Sequence, residues 1–434
     1  MVALATLTVL MVASGCQWSS YRFDAGLTGF NATESQISGA TGASLVSRFR
    51  VERPFSTAVI VTSGMIIGKN AGSTLWGADA SGTLGCTGTP THCQPLWTAA
   101  TSSADEWIAA QGSTVLASYQ TAPNTTRRIA AYDAAGKTGC AGVPVVCTPL
   151  WTTDTTDISG ATIANGLLYA TDGAHLVVFD ATGTQGCAGA PKVCSPLWSG
   201  PAFYSVGHPA LAGGRVYVAY HQGYAVFDAA GTQGCTGSPK VCQPLWVADV
   251  GGLPGMISAT SDYVVTVHSA AGGGGLRVTD AKGVVGCVAG TCHPLWRLSV
   301  PGLTGLPAIA GDRLFVQFGN VQSHADAYDL RGQTNCSGAA LPLDCAPLWT
   351  HAQGVQVPIT ASTTAANDVV FFERYTGTSS EIPDGDLYVE ALDQATGALR
   401  FATPASHGHQ PPVVGDGHLY LSGNNGVEVF TLPS

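Results

Sequence analysis

VGHPALAGGRVYVAYHQGYAVFDAAGTQGCTGSPKVCQPLW, residues 206–246, contains four short segments with the character of β-strands. HPALAGG predicts a short strand and a turn, and RVYVAY alternates along a strand rich in β-branched and aromatic residues. YAVFDAAG predicts a strand that ends in an Asp/Gly turn, and PLW, which continues as VAD, predicts a fourth strand. Four short strands in about 50 residues are typical of one blade of a β-propeller.

The same pattern recurs along the whole chain. A seventh copy, LYVEALDQATGALRFAT (387–403), has Phe401 where the other copies have tryptophan, and an eighth (411–432) stops after three strands. Residues 41–52 have the pattern of the missing outer strand. We therefore predict an all-β fold, an eight-bladed β-propeller of four-stranded antiparallel blades, closed by an N-terminal strand that removes a free sheet edge. Six copies close on Pro-Leu-Trp, at Trp97, Trp151, Trp198, Trp246, Trp296 and Trp349.

The seventh copy resembles the repeat of pyrroloquinoline-quinone (PQQ)-type propellers. It has Ala391, Asp393, Gly397 and Phe401 at the positions of the pattern A-x-D-x-x-x-G-x-x-x-W. The segment 18–35 is similar to the lead-in of PQQ-like repeat proteins. These families include the PQQ-dependent alcohol dehydrogenases and the BamB-like lipoproteins of the outer-membrane assembly machinery, and the layout is closer to that of the second. The resemblance covers about 390 residues and implies the same eight-bladed fold.

Composition limits the classes of function. Hydrophobic residues make up 45% of the chain and charged residues only 11%, and 55 glycines and 24 prolines indicate many turns. The net charge is −10, without a cluster of lysine and arginine, so that nucleic acid is not an expected partner. Beyond residue 16 no apolar run has the length of a membrane span.

The N-terminus, MVALATLTVLMVASGC (1–16), resembles a bacterial lipoprotein signal that ends in a lipobox, Ala13-Ser14-Gly15-Cys16. In such lipoproteins the cysteine becomes the first residue of the mature chain and is lipidated. We therefore predict a signal peptide at 1–15, a tether and lead-in at 16–40, and the propeller at 41–434. The predicted location is the outer face of the cell membrane or the periplasm and cell envelope. An ordinary signal peptide with an incidental cysteine is the alternative.

The cysteines support export. The chain has 13 of them, and without Cys16 an even set remains, arranged in local pairs. In an exported protein such pairs predict disulfides. Structural zinc needs four ligands and each insert offers two, and the haem-like CVAGTCH (287–293) stands in register with pairs that lack the histidine. The predicted pairs are Cys86/Cys93, Cys140/Cys147, Cys187/Cys194, Cys235/Cys242, Cys287/Cys292 and Cys336/Cys345.

Other candidate sites are weaker. PQQ dehydrogenases hold the quinone in the central channel over a calcium ion, but this chain has no adjacent Cys-Cys pair and offers no calcium set that we can assign. No cofactor and no metal are therefore expected, PQQ and calcium included. HGHQPP (407–412) and DGD (384–386) suit surface turns as well as metal binding, and His208 falls where a channel-facing strand begins and could line a ligand pocket. The closing tryptophans and Phe401 are expected to pack between blades.

These observations favour a non-catalytic lipoprotein scaffold of the cell envelope, tethered to the membrane by its lipid, that binds a protein or glycan partner. The assembly role of BamB-like proteins is implied only by the resemblance. The alternative is an extracytoplasmic enzyme, either a PQQ-dependent dehydrogenase or a carbohydrate-active enzyme, that uses the mouth of the channel. No catalytic residue is assigned, since the sequence has no nucleophile elbow, phosphate-binding loop or zinc-protease motif.

Overall fold

The protein is an all-β propeller. The computed structural model describes residues 18–53, 58–70, 73–101, 107–120, 126–201, 207–220, 222–268, 275–299, 306–319, 323–353, 362–375, 387–405, 410–423 and 426–433. Within these ranges there are 45 strands and one short 3₁₀-helix, η1 (Gly42–Ser44). The N-terminal region contributes β1 (Phe30–Asn31) and β2 (Val46–Val51).

The first three repeats share one order of strands, in which a two-stranded hairpin precedes the last strand. Repeat 1 contains β3 (Ile60–Thr62), β4 (Met65–Asn70), β5 (Thr74–Asp79), β6 (Cys86–Thr87), β7 (His92–Cys93) and β8 (Trp97–Ala100). Repeat 2 contains β9 (Ile108–Gln111), β10 (Thr114–Tyr119), β11 (Arg128–Asp133), β12 (Cys140–Ala141), β13 (Val145–Cys147) and β14 (Trp151–Thr153). Repeat 3 contains β15 (Gly160–Ala164), β16 (Leu167–Thr171), β17 (His175–Asp180), β18 (Cys187–Ala188), β19 (Val193–Cys194) and β20 (Trp198–Pro201).

Repeats 4 to 6 follow the same order. Repeat 4 contains β21 (Ala210–Ala212), β22 (Arg215–Tyr220), β23 (Gly223–Asp228), β24 (Cys235–Thr236), β25 (Val241–Cys242) and β26 (Trp246–Asp249). Repeat 5 contains β27 (Met256–Ala259), β28 (Tyr263–His268), β29 (Gly275–Asp280), β30 (Cys287–Val288), β31 (Thr291–Cys292) and β32 (Trp296–Ser299). Repeat 6 contains β33 (Ala308–Ala310), β34 (Arg313–Phe318), β35 (His324–Asp329), β36 (Cys336–Ser337), β37 (Leu343–Cys345) and β38 (Trp349–Ala352).

The last two repeats have no hairpin among the described residues. Repeat 7 contains β39 (Thr364–Ala366), β40 (Val369–Tyr375), β41 (Leu387–Asp393) and β42 (Leu399–Ala405), and repeat 8 contains β43 (Val413–Gly415), β44 (His418–Gly423) and β45 (Gly426–Thr431). The strands of each repeat other than its cysteine hairpin pair antiparallel in chain order, from the channel outward, and form one blade. The blades are numbered as their repeats. Their inner strands are short and apolar, because both faces are buried between neighbouring blades.

Blade 8 is completed by the N-terminal strand, as predicted. β2 pairs antiparallel with β45, with Phe49 opposite Val429 and Val51 opposite Val427. The two ends of the chain therefore close the ring together, and no separate closing element is needed.

The cysteine hairpins add strands that the four-stranded prediction did not include. The hairpin of each of repeats 1 to 6 pairs in parallel with the outer strand of the preceding blade: β13 of repeat 2, for example, pairs with β8 of blade 1. Blades 1 to 5 and blade 8 thereby become six-stranded sheets. Blade 6 keeps four strands, because repeat 7 has no hairpin, and blade 7 has five, since β1 joins its inner edge in parallel.

The blades are joined by an aromatic ring on a glycine. A Cβ atom added to Gly183, in the turn of repeat 3, would lie 2.2 Å from Cδ1 of Trp151 in blade 2. The same contact links Gly136 to Trp97 and Gly397 to Trp349. The closing tryptophan of one blade therefore packs against the turn of the next, which positions the blades relative to one another.

Candidate functional site

Residues 18–31 line the inside of the central channel, and residues 34–37 continue over the turns of blades 7 and 8. Carbonyl oxygens of this segment accept backbone hydrogen bonds from the inner strands of successive blades. Asn31 then donates its side-chain amide to Val414 O of blade 8, at 2.7 Å. The segment therefore contacts the channel wall almost all the way round. The backbone pairs are Val61–Trp18, Ala110–Ser19, Leu211–Ala25, Ala259–Gly26, Ile309–Thr28 and Ala365–Gly29.

Arg22 lies inside the channel beside Gly29, whose N–H donates to Arg22 O at 2.9 Å. The backbone beside it pairs with blade 2, but its guanidinium donates hydrogen bonds to Thr363 O, at 2.8 Å, and to Pro307 O, which precede blades 7 and 6. The side chain is almost completely buried. Burial lowers the pKa of Arg22 to about 10, which still leaves the side chain charged at neutral pH. Because blade 2 lies opposite blades 6 and 7, the chain itself occupies the width of the channel here.

His208 lies against this segment, at the wall between blades 3 and 4. Its ring stacks on Tyr21, with centroids 4.7 Å apart, and meets Trp107 edge-on at 6.5 Å. Nδ1 donates to Ala161 O at 2.8 Å. Burial lowers the pKa of His208, which favours the neutral imidazole. The residue thus holds the lead-in segment in place and is part of the channel lining.

The turns that carry the cysteine hairpins begin with an aspartate. In repeat 3, Asp180 accepts hydrogen bonds from the backbone of Thr182, Thr184 and Gln185, and from both threonine hydroxyls. Burial raises the pKa of Asp180, but these hydrogen bonds lower it by more, so that the pKa lies below its ordinary value. The carboxylate therefore shapes the turn, and its acceptor oxygens are occupied by the turn itself.

The six cysteine pairs are disulfides in the structure. Each closes one of the hairpins, for example Cys187–Cys194 and Cys235–Cys242. Among the closing aromatic residues Trp97, Trp151, Trp198, Trp296 and Phe401 are buried, and Trp246 and Trp349 are half-buried. Trp97 Nε1 donates to Ala134 O of the next repeat, at 3.0 Å. The disulfides and the closing aromatic residues are therefore structural.

Three predicted sites lie outside the described residues: Cys16, residues 407–409 of HGHQPP, and residues 384–386. In the described part of the chain no group of three or more His, Cys, Asp or Glu side chains is placed to hold a metal ion. The same residues include no helix that is long and apolar enough to cross a membrane.

A surface cleft of about 670 Å³ lies between blades 5 and 6, on the side of the cysteine turns. Its floor is apolar, and two ion pairs lie at its rim: Lys282 Nζ to Asp262 Oδ1 at 2.6 Å, and Arg331 Nη1 to Asp312 Oδ2 at 3.3 Å. The first pair raises the pKa of Lys282 and lowers that of Asp262. An apolar floor between fixed charges suits a ligand with an apolar centre and polar edges. The floor is formed by Tyr263, Val284, Val285, Leu295, Trp296, Leu341 and Leu343.

The turn of repeat 5 differs from the other turns at this cleft. Val284 and Val285, 71% and 54% exposed, occupy the positions of Thr184 and Gln185 in repeat 3. The valine at 284 cannot donate the hydroxyl hydrogen bond that Thr184 gives to its aspartate. Two exposed valines do not stabilise the turn, and clustered exposed apolar residues mark binding surfaces. Sequence reasoning missed this site, although GVVGC is the only one of the six turn sequences with two adjacent valines before its first cysteine.

Two solved structures with TM-scores of 0.50 or more agree with this fold. No model of a protein family matches the chain, and no curated protein matches its sequence. The quinohemoprotein alcohol dehydrogenase of Comamonas testosteroni is similar in structure, with 12% identity over 96% of this chain and 80% of that chain and a TM-score of 0.58. Saccharomyces cerevisiae Sqt1 has 9% identity over 90% and 96%, with a TM-score of 0.50. BamB of Moraxella catarrhalis has 13% identity over 75% and 93%, with a TM-score of 0.39. At these identities the likeness is one of fold.

Proposed function

We propose that the protein is a non-catalytic scaffold of the cell envelope, anchored by a lipid on Cys16, that binds a protein partner through the cleft between blades 5 and 6. The six disulfides fit an exported protein. The rest of the proposal depends on where the molecule has room for a ligand.

The filled channel is the observation that supports this proposal most. A quinoprotein-type enzyme would need the channel for its cofactor, but here residues 18–31 follow its wall and the segment reaches from blade 2 at Ser20 to blades 6 and 7 at Arg22. The described surface offers instead the cleft between blades 5 and 6, which combines apolar side chains with ion pairs. This composition is typical of protein interfaces, with an apolar centre inside a polar rim.

A partner would bind the cleft with an apolar side chain. Insertion would remove Val284 and Val285 from water, which gains free energy in proportion to the apolar area buried. The pairs Lys282–Asp262 and Arg331–Asp312 would face polar groups of the partner and fix its orientation. A glycan fits less well, because the aromatic residues of the cleft, Tyr263 and Trp296, are half-buried and buried respectively.

The test compares two lysine variants of equivalent turn positions. Val285→Lys places a charge in the cleft, and Leu84→Lys, at the same position of the turn in repeat 1 and 62% exposed, is the matched control. We expect wild type and Leu84→Lys to be recovered from detergent-solubilised membranes with a stoichiometric envelope protein, and Val285→Lys to lose at least nine-tenths of it. The mass of the mature N-terminal peptide reports the lipid on Cys16 in the same preparation.

Two outcomes contradict the proposal. Equal recovery of the partner by both variants removes the cleft from the interface. A bound chromophore, or turnover of an alcohol by the purified protein with added PQQ and calcium, would instead establish the enzyme.

A further inference from the structure

The outer edge of blade 6 differs from the other blade edges. In blades 1 to 5 and blade 8 the outer strand is covered by the hairpin of the following repeat. Repeat 7 has no hairpin, since Asp393 and Phe401 are joined by a short turn, so that β38 (Trp349–Ala352) is the last strand of its sheet. Among the described residues no strand lies beyond it.

The covered edges show which backbone groups a strand at this position would meet. In three covered blades the residue after the closing tryptophan donates its N–H outward to the hairpin: Thr152 to Lys192 O at 3.0 Å, Ser199 to Lys240 O at 3.1 Å, and Val247 to Gly290 O at 3.1 Å. In blade 6 the corresponding residue is Thr350, which is exposed.

The register of β38 supports this correspondence. In blade 2 the residue before the tryptophan, Leu150, donates inward to Ala131 O, and in blade 6 Leu348 donates inward to Ala327 O in the same way. The tryptophans also pair alike, Trp151 with Ala131 and Trp349 with Ala327, so that the N–H of Thr350 takes the outward direction of Thr152.

Among the described residues blade 7 also ends in a strand without an outer partner, β42, but this edge is protected. η1 packs on the start of β42, where a Cβ on Gly42 would lie 1.9 Å from the ring of Phe401. Pro404 stands two residues after Ala402, where the next outward N–H would be, and proline has none. Such protection is common at edges that must not pair, and β38 lacks both devices.

A second observation lies beside β38. A cleft of about 490 Å³, between the turns of repeat 6 and Gln394 of repeat 7, reaches Leu348 at the start of this strand. The corresponding cleft between blades 5 and 6 is lined in part by Leu341 and Leu343 of the hairpin of repeat 6. The cleft next to β38 has no hairpin residue in its lining, so that the space a hairpin would use is open.

We propose that the outer edge of blade 6 binds a β-hairpin of a partner protein, which adds to β38 as a parallel strand in the register of the six internal hairpins. The internal copies define the chemistry of this occupant. It is a strand of two or three residues, closed into a hairpin, that presents a backbone carbonyl to Thr350; in three of the six copies a valine such as Val193 stands just before its last position. Main-chain hydrogen bonds of this kind bind peptides to sheet edges in other proteins.

This inference deepens the proposed function, because it names the kind of segment that a protein partner would use, but it concerns a different surface. Its test therefore uses a probe that does not depend on the natural partner. The probe is a disulfide-closed peptide that copies residues 186–197, GCAGAPKVCSPL, of this chain. If the peptide fails to bind, the recovery of a partner through the cleft between blades 5 and 6 is unaffected. If no partner is recovered through that cleft, the binding of the peptide to β38 is unaffected.

The experiment measures binding of the labelled peptide and amide hydrogen exchange of the protein. We expect saturable binding that slows exchange at Thr350 and Ala352. Thr350→Pro removes the outward donor and should weaken binding at least tenfold, and Ala402→Pro, at the equivalent position of the protected edge of blade 7, should change it less than twofold. Thermal unfolding of each variant reports whether it folds. If Thr350→Pro does not fold, slower exchange at Thr350 of the wild type on addition of peptide decides whether the peptide binds at β38.

Three results would overturn the proposal. The first is equal binding by wild type and Thr350→Pro, and the second is bound peptide without slower exchange at Thr350. The third is concentration-dependent dimerisation that protects Thr350 without peptide, which would make a second copy of this chain the occupant.

Discussion

The joint between neighbouring blades is, at the scale of single residues, an indole ring lying on a glycine. Gly183 meets two requirements at once: its φ of 69° lies in the left-handed region, and its missing Cβ leaves room for Trp151. Asp180 holds the same turn through its amides and hydroxyls. Three residue types at fixed spacing are therefore sufficient to shape this joint.

Replacing Gly183 with alanine tests the joint. Gly173 is the control, because its φ of 84° is also left-handed but nothing lies within 4 Å of an added Cβ. We expect Gly173→Ala to cost about 1 kcal/mol of unfolding free energy through backbone strain. Gly183→Ala should cost about 1–3 kcal/mol more, because the methyl group collides with the indole. Guanidinium unfolding measures both, and equal losses would show that the contact with Trp151 does not matter.

At the scale of elements, each cysteine hairpin acts on the blade before its own. β19 of repeat 3 pairs with β14 of blade 2, and Cys194 lies opposite Thr153. Ser195 and Asp154 add a side-chain hydrogen bond at 2.5 Å across the same joint. The disulfide thus closes a hairpin whose outer face is exposed and whose inner face covers a neighbour's edge.

Removing one disulfide should therefore loosen the preceding blade. For Cys187→Ser with Cys194→Ser we expect a loss of about 2–3 kcal/mol of unfolding free energy, as the chain-entropy estimate gives for a loop of eight residues. Amide exchange at Thr152 and Asp154 should become faster, and exchange at Val247, whose partner belongs to repeat 5, should not change. If exchange rises only inside residues 181–198, the hairpin does not protect its neighbour.

At the scale of the whole molecule, the hairpins give the ring a direction, from each repeat to the one before it, and among the described residues this order is interrupted between repeats 7 and 6 and between repeats 8 and 7. The N-terminal segment supplies a second set of contacts inside the ring, from Trp18 at blade 1 to Asn31 at blade 8. The propeller is thus held at its rim by local hairpins and at its centre by one continuous segment.

Deleting residues 1–37, with β2 retained, tests the central contacts. At about 1 kcal/mol for each lost hydrogen bond, the loss of unfolding free energy should reach several kcal/mol, with a clearly lower midpoint of thermal unfolding. Deletion of residues 1–17 alone is the control and should leave the midpoint unchanged. Equal midpoints for the two deletions would mean that the segment only occupies the channel and does not stabilise it.

The number of blades and the closure by β2 could be predicted, because each repeat carries its own alternating strands and turn residues. The partner of each hairpin could not, since strands of two residues such as Val193–Cys194 have no periodicity and pair with a different repeat. The cleft at Val284 and Val285 also requires a neighbour, because Leu341 and Leu343 come from the next repeat. The path of residues 18–37 depends on contacts with seven blades that local sequence does not encode.

The position of this segment has a consequence for the order in which the molecule is made. Synthesis proceeds from the N-terminus, so that residues 18–37 and β2 emerge before any blade exists. Their partners include Val414 and the strand β45, which ends at Thr431, three residues before the end of the chain. Residues made before the blades are therefore among the last to reach their final positions, and the ring stays open until β45 has been made.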